Sequence, residues 1–307
     1  PDVGKFYWTQ VGSDIDGSTV GDDSGTSVAM SSNGSIIAIG SPWHDGSRGT
    51  VRVYEWDGSS WSQLGSDIDG AASGDYSGTS VAMSSDGSII VIGSPEHDND
   101  KGHVRVFQYS NNSWSQLGSD IDGEQTGPNN SGTSVAMNGN GSRIAIGAPY
   151  NNGNGDSSGH VCVYDWDGSL WNKVGNAIDG ENIGDQLGTS IAISNDGNRI
   201  VIGAPEHDND KGHVRVYDWN GSSWNKVGDD IDGEAASDES GCYVVMSSDG
   251  SKIVISANKN DGVNGTDSGH VRIYESIILP EPEPESEPES EPESEPESEP
   301  ESEPESE

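Results

Sequence analysis

A repeated unit of about 53 residues is the feature that most constrains what this chain can fold into. Tryptophans recur at intervals of 53, 53, 57 and 53 residues, at Trp8, Trp61, Trp114, Trp171 and Trp224. Each is followed by a version of Gly-Ser-Asp-Ile-Asp-Gly, then by Ser-Gly-Thr-Ser-Val-Ala-Met, a turn, an apolar run and a Val-rich stretch. Self-similarity at a fixed period indicates an array of one supersecondary unit, so we expect five copies of one structural element.

Each unit predicts four short antiparallel strands. The first strand ends at a dipeptide such as Asn33-Gly34 or Asp86-Gly87, which tolerates the positive φ angles of a tight hairpin. The second, for example Ile89 to Ile92, is a continuous apolar run of the kind covered on both faces. The third alternates apolar and polar residues, and a Trp-Asp-Gly-Ser-Ser-Trp turn leads to the fourth. This pattern predicts an all-β fold, a β-propeller of five four-stranded blades, with an open β-solenoid as the alternative.

The two ends of the repeat array predict how the ring closes. The chain opens on a fourth strand, Phe6 to Val11, and the last repeat stops after its third strand, Val271 to Tyr274. Pairing these two strands hides sheet edges that an open array exposes. We therefore expect the N-terminal strand to close the five-bladed propeller. The alternative is that the chain is a piece of a larger propeller.

The end of the chain has a different composition from the rest. Residues 280–307 contain only Pro, Glu and Ser, so we assign residues 1–279 to the propeller and residues 280–307 to a disordered acidic tail or linker. The formal net charge of −39 excludes nucleic acid as a partner, because binding phosphates requires clustered Lys and Arg. No stretch approaches the roughly 20 apolar residues that span a bilayer, so we expect no membrane insertion in this segment.

Two motifs of each unit carry a resemblance to a known family. The Ser-Gly-Thr-Ser-Val-Ala-Met segment and Ile144 to Pro149 resemble the FG-GAP repeats of the integrin α-chain propeller and of secreted FG-GAP-like proteins of algae and marine microbes. This resemblance implies a propeller outside the cell or on its surface, used for adhesion or ligand binding, without enzyme activity. Departures are the absence of the motif's Phe and the presence of Ser256-Ala257-Asn258 in place of Gly-Ala-Pro. The family's calcium loop is also replaced by a tight turn, Ser85 to Ser88, which offers too few oxygens for the ion.

A second calcium hypothesis concerns the Asp-Ile-Asp-Gly segments. Alternate carboxylates followed by Gly resemble the opening of a calcium-binding loop, although the fourth copy, at Asn176-Ala177, lacks the first carboxylate. The alternative is that these carboxylates cap turns and bind backbone N–H groups between blades. Calcium is the only cofactor that the sequence suggests. Its candidate ligands are Asp14, Asp16, Asp67, Asp69, Asp120, Asp122, Asp230 and Asp232.

Histidines recur at fixed positions of the repeat. His97-Asp98-Asn99-Asp100 is repeated from His207 to Asp210, and a second His precedes the third strand at His103, His160, His213 and His270. His and Asp are metal ligands, but a zinc site needs three or four ligands that converge. Regular recurrence favours a scaffold role for the second His, as a hydrogen-bond partner of an Asp in a turn. The Trp pairs that flank each hairpin are expected to stack on one another.

The leading functional hypothesis is a non-enzymatic extracellular or cell-surface binding and adhesion module. Its loops are expected to contact a protein or a glycan, and we expect a monomer. One alternative is a structural component of a cell surface or wall with an acidic stalk, and another is a glycan-active enzyme. The sequence contains no Gly-x-Ser-x-Gly elbow, no phosphate-binding Gly loop and no His-Glu-x-x-His motif, so it predicts no catalytic residues.

Overall fold

The computed structural model describes residues 7–124, 128–262 and 264–277. The described residues form 23 β-strands and three four-residue helical turns. The predicted all-β fold and the five repeated sheets are confirmed. The predicted tail, residues 280–307, lies outside the described residues, and the proposed boundary at residue 279 stays a prediction.

Four blades share one antiparallel topology, in which the strands follow each other across the sheet and a two-residue strand adds to the third. Blade 1 consists of β1 (Ser27–Met30), β2 (Ile36–Ser41), β3 (Thr50–Trp56), β4 (Trp61–Gln63) and β5 (Ile68–Asp69). Blade 2 consists of β6 (Ser80–Met83), β7 (Ile89–Ser94), β8 (His103–Ser110), β9 (Ser113–Gln116) and β10 (Ile121–Asp122). Blade 3 consists of β11 (Ser134–Met137), β12 (Arg143–Ala148), β13 (His160–Trp166), β14 (Trp171–Lys173) and β15 (Ile178–Asp179). Blade 4 consists of β16 (Ser190–Ile193), β17 (Arg199–Ala204), β18 (His213–Trp219), β19 (Trp224–Lys226) and β20 (Ile231–Asp232).

Blade 5 has only three strands, β21 (Tyr243–Met246), β22 (Lys252–Ala257) and β23 (His270–Glu275). The helical turns α1 (His44–Ser47), α2 (His97–Asp100) and α3 (His207–Asp210) lie between the second and third strands of blades 1, 2 and 4. Asp98 and Asn99 in α2 adopt positive φ angles of 52° and 58°, a conformation that Asp and Asn tolerate better than most residues.

The core lies between successive blades rather than within one sheet. Val51 and Val53 of blade 1 are 0% and 1% exposed and belong to one apolar cluster with Ile90 and Ile92 of blade 2. Equivalent clusters join blades 2 and 3, 3 and 4, and 4 and 5. Burial of apolar surface at each interface stabilises the fold by about 25 cal/mol per Å², which makes blade-to-blade packing the main source of stability.

A glycine in the second strand permits this close packing. A Cβ atom added to Gly147 of blade 3 would lie 2.1 Å from the carbonyl oxygen of Gly188, which leads into blade 4. No side chain fits in that gap, so the next blade approaches the sheet only where this position is Gly. Gly40, Gly93 and Gly203 have the same environment in blades 1, 2 and 4.

The hairpin tryptophans stack as the sequence predicts. The ring centroids of Trp56 and Trp61 lie 5.4 Å apart, and those of Trp166 and Trp171 lie 5.3 Å apart. Each second Trp also links two blades through its indole N–H. Trp114 in blade 2 donates to the carbonyl oxygen of Leu64, which follows the fourth strand of blade 1, at 2.7 Å.

The first strands converge on the propeller axis. Backbone N–H groups at the ends of these strands donate in series from blade to blade, from Ser32 to Ser85, Ser85 to Gly139, Gly139 to Asn195 and Asn195 to Ser248, at 2.7–2.9 Å. The series has no fifth bond between Ser248 and Ser32, both of which lie in the described part of the chain. The ring of blades is therefore interrupted between blades 5 and 1.

The two apolar faces at this interruption are exposed. Val28 and Met30 of blade 1 are 68% and 65% exposed, whereas their equivalents in blade 3, Val135 and Met137, are each 9% exposed. On the other side, Val271 and Ile273 of blade 5 are 61% and 71% exposed. In the other blades the equivalent first-strand residues are buried by the preceding blade and the equivalent third-strand residues by the following blade. These exposures therefore show that blades 5 and 1 do not pack against each other.

The predicted closure by Phe6 to Val11 is wrong for the described part of that segment. Residues 7–11 form no strand, Trp8 is fully exposed, and β23 pairs only with β22. The segment keeps its contact with blade 1, because Trp61 donates its indole N–H to the carbonyl of Val11 at 2.9 Å, the same link that Trp114 makes to Leu64 of the preceding blade. The pairing with β23 that closure requires is absent from the described residues.

The two cysteines, Cys162 and Cys242, are free thiols. In the described residues, no helix is both long enough and apolar enough to cross a membrane.

Candidate functional site

Two sets of connections lie together at one end of the blades, which we call the loop face. They are the loops from second to third strands and the segments that lead from one blade to the next. Tyr76, in the segment before blade 2, donates its backbone N–H to Ser47 of the blade 1 loop at 2.9 Å. Gly49 and Ser77 form a parallel β-bridge beside it. Antiparallel order places the tight hairpin turns at the opposite end, which we call the turn face.

One loop-face position differs from blade to blade although its neighbours repeat. It follows a Ser-Pro or Ala-Pro in blades 1–4 and Ala257-Asn258 in blade 5. In chain order it is occupied by Trp43, Glu96, Tyr150, Glu206 and Lys259. Trp43 is 49% exposed and packs edge-on against Tyr76, with ring centroids 4.8 Å apart. Tyr150 is 41% exposed. This variable position therefore presents a different chemical group above each blade of an otherwise repeated scaffold.

Blade 3 adds a shallow pocket of about 270 Å³ to the loop face. Its loop is longer than those of blades 1, 2 and 4. Asparagine side chains stabilise it: Asn152 accepts the backbone N–H of Ser157 at 2.7 Å, and Asn151 accepts that of Gly153 at 2.8 Å. The pocket combines an aromatic ring, amides, a hydroxyl and a carboxylate. Its lining residues are Pro128, Asn130, Tyr150, Asn152, Asp156 and Ser157.

The calcium candidates of the Asp-Ile-Asp-Gly segments are engaged with other side chains. Asp67 accepts hydrogen bonds from Arg52 at 2.9 Å and from Gln63 at 2.6 Å, and the Arg52 guanidinium and the Gln63 amide lower the pKa of its carboxyl. Asp69 accepts from the hydroxyl of Thr50 at 2.9 Å. The two carboxylates therefore serve different partners on β3.

The other candidates follow the same pattern. Arg215 donates to Asp230 from two nitrogens, at 2.7 and 2.9 Å, and Asp232 lies 3.7 Å from the ammonium of Lys211. Gln116 donates to Asp120 at 2.6 Å, and Asp122 lies 3.6 Å from Lys101. Gln10 donates to Asp14 at 2.8 Å. Asp16 is exposed.

Among the described residues, none of the eight calcium candidates belongs to a cluster of three side chains that could hold a metal ion. The calcium hypothesis stays a prediction.

A cluster of Asp75, His97 and His103 lies at the loop-face end of blade 2. Asp75 precedes the first strand, His97 begins α2, and His103 begins the third strand. His97 Nδ1 lies 2.9 Å from the carboxylate of Asp75, and the rings of His97 and His103 stack with centroids 3.8 Å apart. The predicted scaffold hydrogen bond of the second His is wrong here, because neither ring nitrogen of His103 has a hydrogen-bond partner in the described structure.

A second cluster, in blade 3, contains Glu124, His160 and Cys162. The ammonium of Lys173 lies 2.6 Å from Glu124 and already neutralises it. Burial raises the pKa of the Cys162 thiol to about 12, so the thiol is protonated at neutral pH. Because Lys173 already holds the carboxylate that a metal would need, this cluster is a poorer metal site than the first.

The variable loop-face position was missed from the sequence, although its signal is present there. Aligning the five units residue by residue shows one loop position that changes class between aromatic, acidic and basic, while the Pro before it recurs in four units and the His after it in three. The exposure of this position became known only from the structure.

Comparison with known proteins supports the fold. No protein-family model matches the sequence. No curated protein matches it. Among solved structures, hydrazine synthase of Kuenenia stuttgartiensis is similar, with a TM-score of 0.54 and 13% sequence identity over 82% of this chain and 71% of that chain. TolB from Acinetobacter baumannii has a TM-score of 0.48 and 14% identity over 81% of this chain, which spans about half of the TolB chain (51%).

Both neighbours are β-propellers, and likeness at this identity concerns the fold alone. The sheet topology and the similarity to the hydrazine synthase propeller define the class: this chain is a five-bladed β-propeller protein with a loop face that varies between blades.

Proposed function

We propose that this protein is a non-enzymatic binding and adhesion module of the FG-GAP type, acting outside the cell or on its surface. In this proposal the loop face contacts a glycan or a protein. The observation that carries it is the variable loop-face position, which places Trp43 and Tyr150 partly in solvent on a repeated, rigid scaffold. Binding residues are characteristically held on loops above such a scaffold.

The chemistry of the loop face supports this class of ligand. Trp and Tyr supply large contact area at a low cost in conformational entropy and dominate the energetics of many protein interfaces. The same rings pack against the C–H faces of sugars, and the amides around Tyr150 offer donors and acceptors for hydroxyl groups. The net charge of −39 disfavours polyanionic ligands, so a neutral or cationic ligand surface is expected.

The FG-GAP resemblance supports the extracellular location and the adhesive role. It rests on motifs that recur in all units and on the propeller fold that these motifs accompany in the family. The integrin-type calcium loop is not part of the proposal, because the turns between first and second strands are tight.

The test is a binding screen with labelled protein on an array of neutral and acidic glycans and on intact cells. The variant Trp43→Glu with Tyr150→Glu is informative because Glu already occupies this position in blades 2 and 4 as Glu96 and Glu206, so the fold accepts it. We expect this variant to lose binding at least about tenfold, the effect of removing aromatic hot spots.

The matched control is Leu170→Ser on the turn face, where Leu170 is 55% exposed and blades 1 and 4 carry Ser at the same position. Binding that is equal in the double variant and in the parent would contradict the loop-face proposal, as would equal loss in the control. The bound ligand is recovered and weighed by mass spectrometry, and a cleaved ligand would overturn the non-enzymatic assignment.

A further inference from the structure

The cluster of Asp75, His97 and His103 has the geometry of a metal-binding site. One ligand atom from each side chain lies within 4.8 Å of the others, and the stacked rings of His97 and His103 would have to turn toward each other to share one ion. Asp75 and His103 are 3% and 0% exposed, and the His97 side chain is 25% exposed. The centre therefore lies beneath the loop face, with one imidazole open to solvent as a path of entry.

His103 is the residue that requires an explanation. Its imidazole is completely buried, and both ring nitrogens lack a hydrogen-bond partner in the described structure. The carboxylate of Asp120, which directly precedes β10, lies 3.8 Å from His103 Nδ1, too far for a hydrogen bond. Buried polar side chains are nearly always paired, because a polar group that leaves water without gaining a partner destabilises the folded state. A bound ion would provide a partner for one of the two ring nitrogens of His103.

We propose that Asp75, His97 and His103 bind a divalent transition-metal ion of the Zn²⁺ type. Two imidazoles and one carboxylate form a ligand set that suits zinc and its first-row neighbours, whereas calcium and magnesium prefer oxygen ligands throughout. Three protein ligands leave a fourth position of a tetrahedral ion for water or for a ligand group on the loop face. The site is independent of the glycan or protein contact proposed above.

Comparison with the equivalent residues of other blades shows which contacts of this cluster are structural and which feature supports metal binding. Asn151 donates to Asn129 at 3.1 Å in blade 3, and Asn260 donates to Asp238 at 2.8 Å in blade 5. The residues at the positions of Asp75 and His97 are thus linked even in blades that have no histidine at the second of them. Their contact therefore has a structural role in every blade. The metal hypothesis rests on the additional buried imidazole.

Blade 4 repeats the three residues as Asp185, His207 and His213. The Asp185–His207 contact is again 2.9 Å, and both nitrogens of His213 are unpaired in the described structure, but the rings of His207 and His213 are 4.0 Å apart and tilted by 38°. In blade 2 the interplanar angle is 22°. To isolate the blade 2 site, every protein in the test carries His213→Thr.

The experiment is a titration of the full chain with Co²⁺, a spectroscopic substitute for Zn²⁺, in excess Mg²⁺ that occupies the surface carboxylates. The expected result is one equivalent of bound Co²⁺ with the strong visible absorption of a four- or five-coordinate ion, displaced by Zn²⁺. Oxygen-ligated Co²⁺ on the acidic surface gives only weak absorption, so the two modes are distinguishable.

The site variants use residues that the chain itself places at these positions. His103→Thr copies Thr50 of blade 1, which is fully buried there, and His97→Asn copies Asn151 of blade 3. Both are expected to abolish the absorption while retaining the parent's circular dichroism. His270→Thr in blade 5, where the facing residue is Asn260, is the control that keeps it. Absence of the absorption in the parent, or its persistence after His103→Thr, would overturn the proposal.

Discussion

The indole nitrogen of Trp114 lies 2.7 Å from the carbonyl oxygen of Leu64 and joins blade 2 to blade 1. The same bond recurs as Trp171 to Leu117 at 2.8 Å and Trp224 to Val174 at 3.2 Å. The repeated tryptophan is thus conserved within the repeat as a link between blades, in addition to its stacking within the hairpin.

Replacing Trp114 by Phe is expected to destabilise the protein by about 1–3 kcal/mol, because it leaves the Leu64 carbonyl without its donor and removes ring area. Urea unfolding followed by fluorescence measures the change. Trp8→Phe is the control, since Trp8 is fully exposed and its replacement is expected to leave the free energy of unfolding within about 0.5 kcal/mol. Equal effects of the two variants would contradict the assigned role of the indole N–H.

Millimolar calcium is expected to raise the melting temperature by only a few degrees or less. An ion at the Asp-Ile-Asp-Gly segments would have to displace Arg52 and Gln63 from Asp67 and Thr50 from Asp69. Strong binding to the native state would stabilise it by mass action and shift the transition by many degrees. A large shift that disappears in Asp67→Ala with Asp69→Ala would place calcium in these segments.

The ion pair of Arg215 and Asp230 predicts a loss of stability in acid. The Arg215 guanidinium, assisted by Lys226, holds the pKa of the Asp230 carboxyl well below its ordinary value of 3.8. A carboxyl with a lowered pKa in the folded state contributes stability that is complete above about pH 4 and is lost as the pH falls further.

Asp230→Asn is therefore expected to destabilise the protein by about 2 kcal/mol at pH 7 and to flatten the decline in unfolding free energy below pH 4. Chemical denaturation at a series of pH values measures both effects. Asp229→Asn, at the exposed neighbouring residue, should follow the parent's pH profile. A decline as steep in Asp230→Asn as in the parent would show that other carboxylates produce it.

Much of the fold follows from local signals in the sequence. The alternation of Val51, Arg52 and Val53 and the Asp-Gly or Asn-Gly turns specify strands and hairpins within about ten residues, so the blades were predicted correctly. Stacking of Trp56 on Trp61 follows from their position across one hairpin. These features depend on neighbours along the chain.

Closure of the ring depends on competition between distant segments, and the prediction failed there. Ser256 stands where each earlier blade has the glycine that lets the next blade approach. Glu275-Ser276 stands where the earlier blades have the hairpin that leads to a fourth strand. Both departures are visible in the sequence. Their meaning became clear only when Gly147 was seen to contact the carbonyl of Gly188.

The site was predicted less well than the fold because burial and pairing are tertiary properties. The carboxylates of Asp67 and Asp69 form a regular pattern in sequence, but Arg52 and Thr50 engage them from another strand. Conversely, the second His of the repeat was assigned a hydrogen bond to an Asp, and the structure shows that His97 has the carboxylate partner and His103 has none in the described residues.

The measurement that tests the architecture most directly compares one substitution at equivalent positions of two blades. Val104 in blade 2 is 0% exposed against blade 3, and Val271 in blade 5 is 61% exposed at the interruption of the ring. Val104→Ala is expected to lower the free energy of unfolding in urea by about 1.5–3 kcal/mol, the value of a buried Val side chain. Val271→Ala is expected to change it by less than about 0.5 kcal/mol. A cost at Val271 equal to that at Val104 would contradict the account, because it would mean that another blade covers the last one.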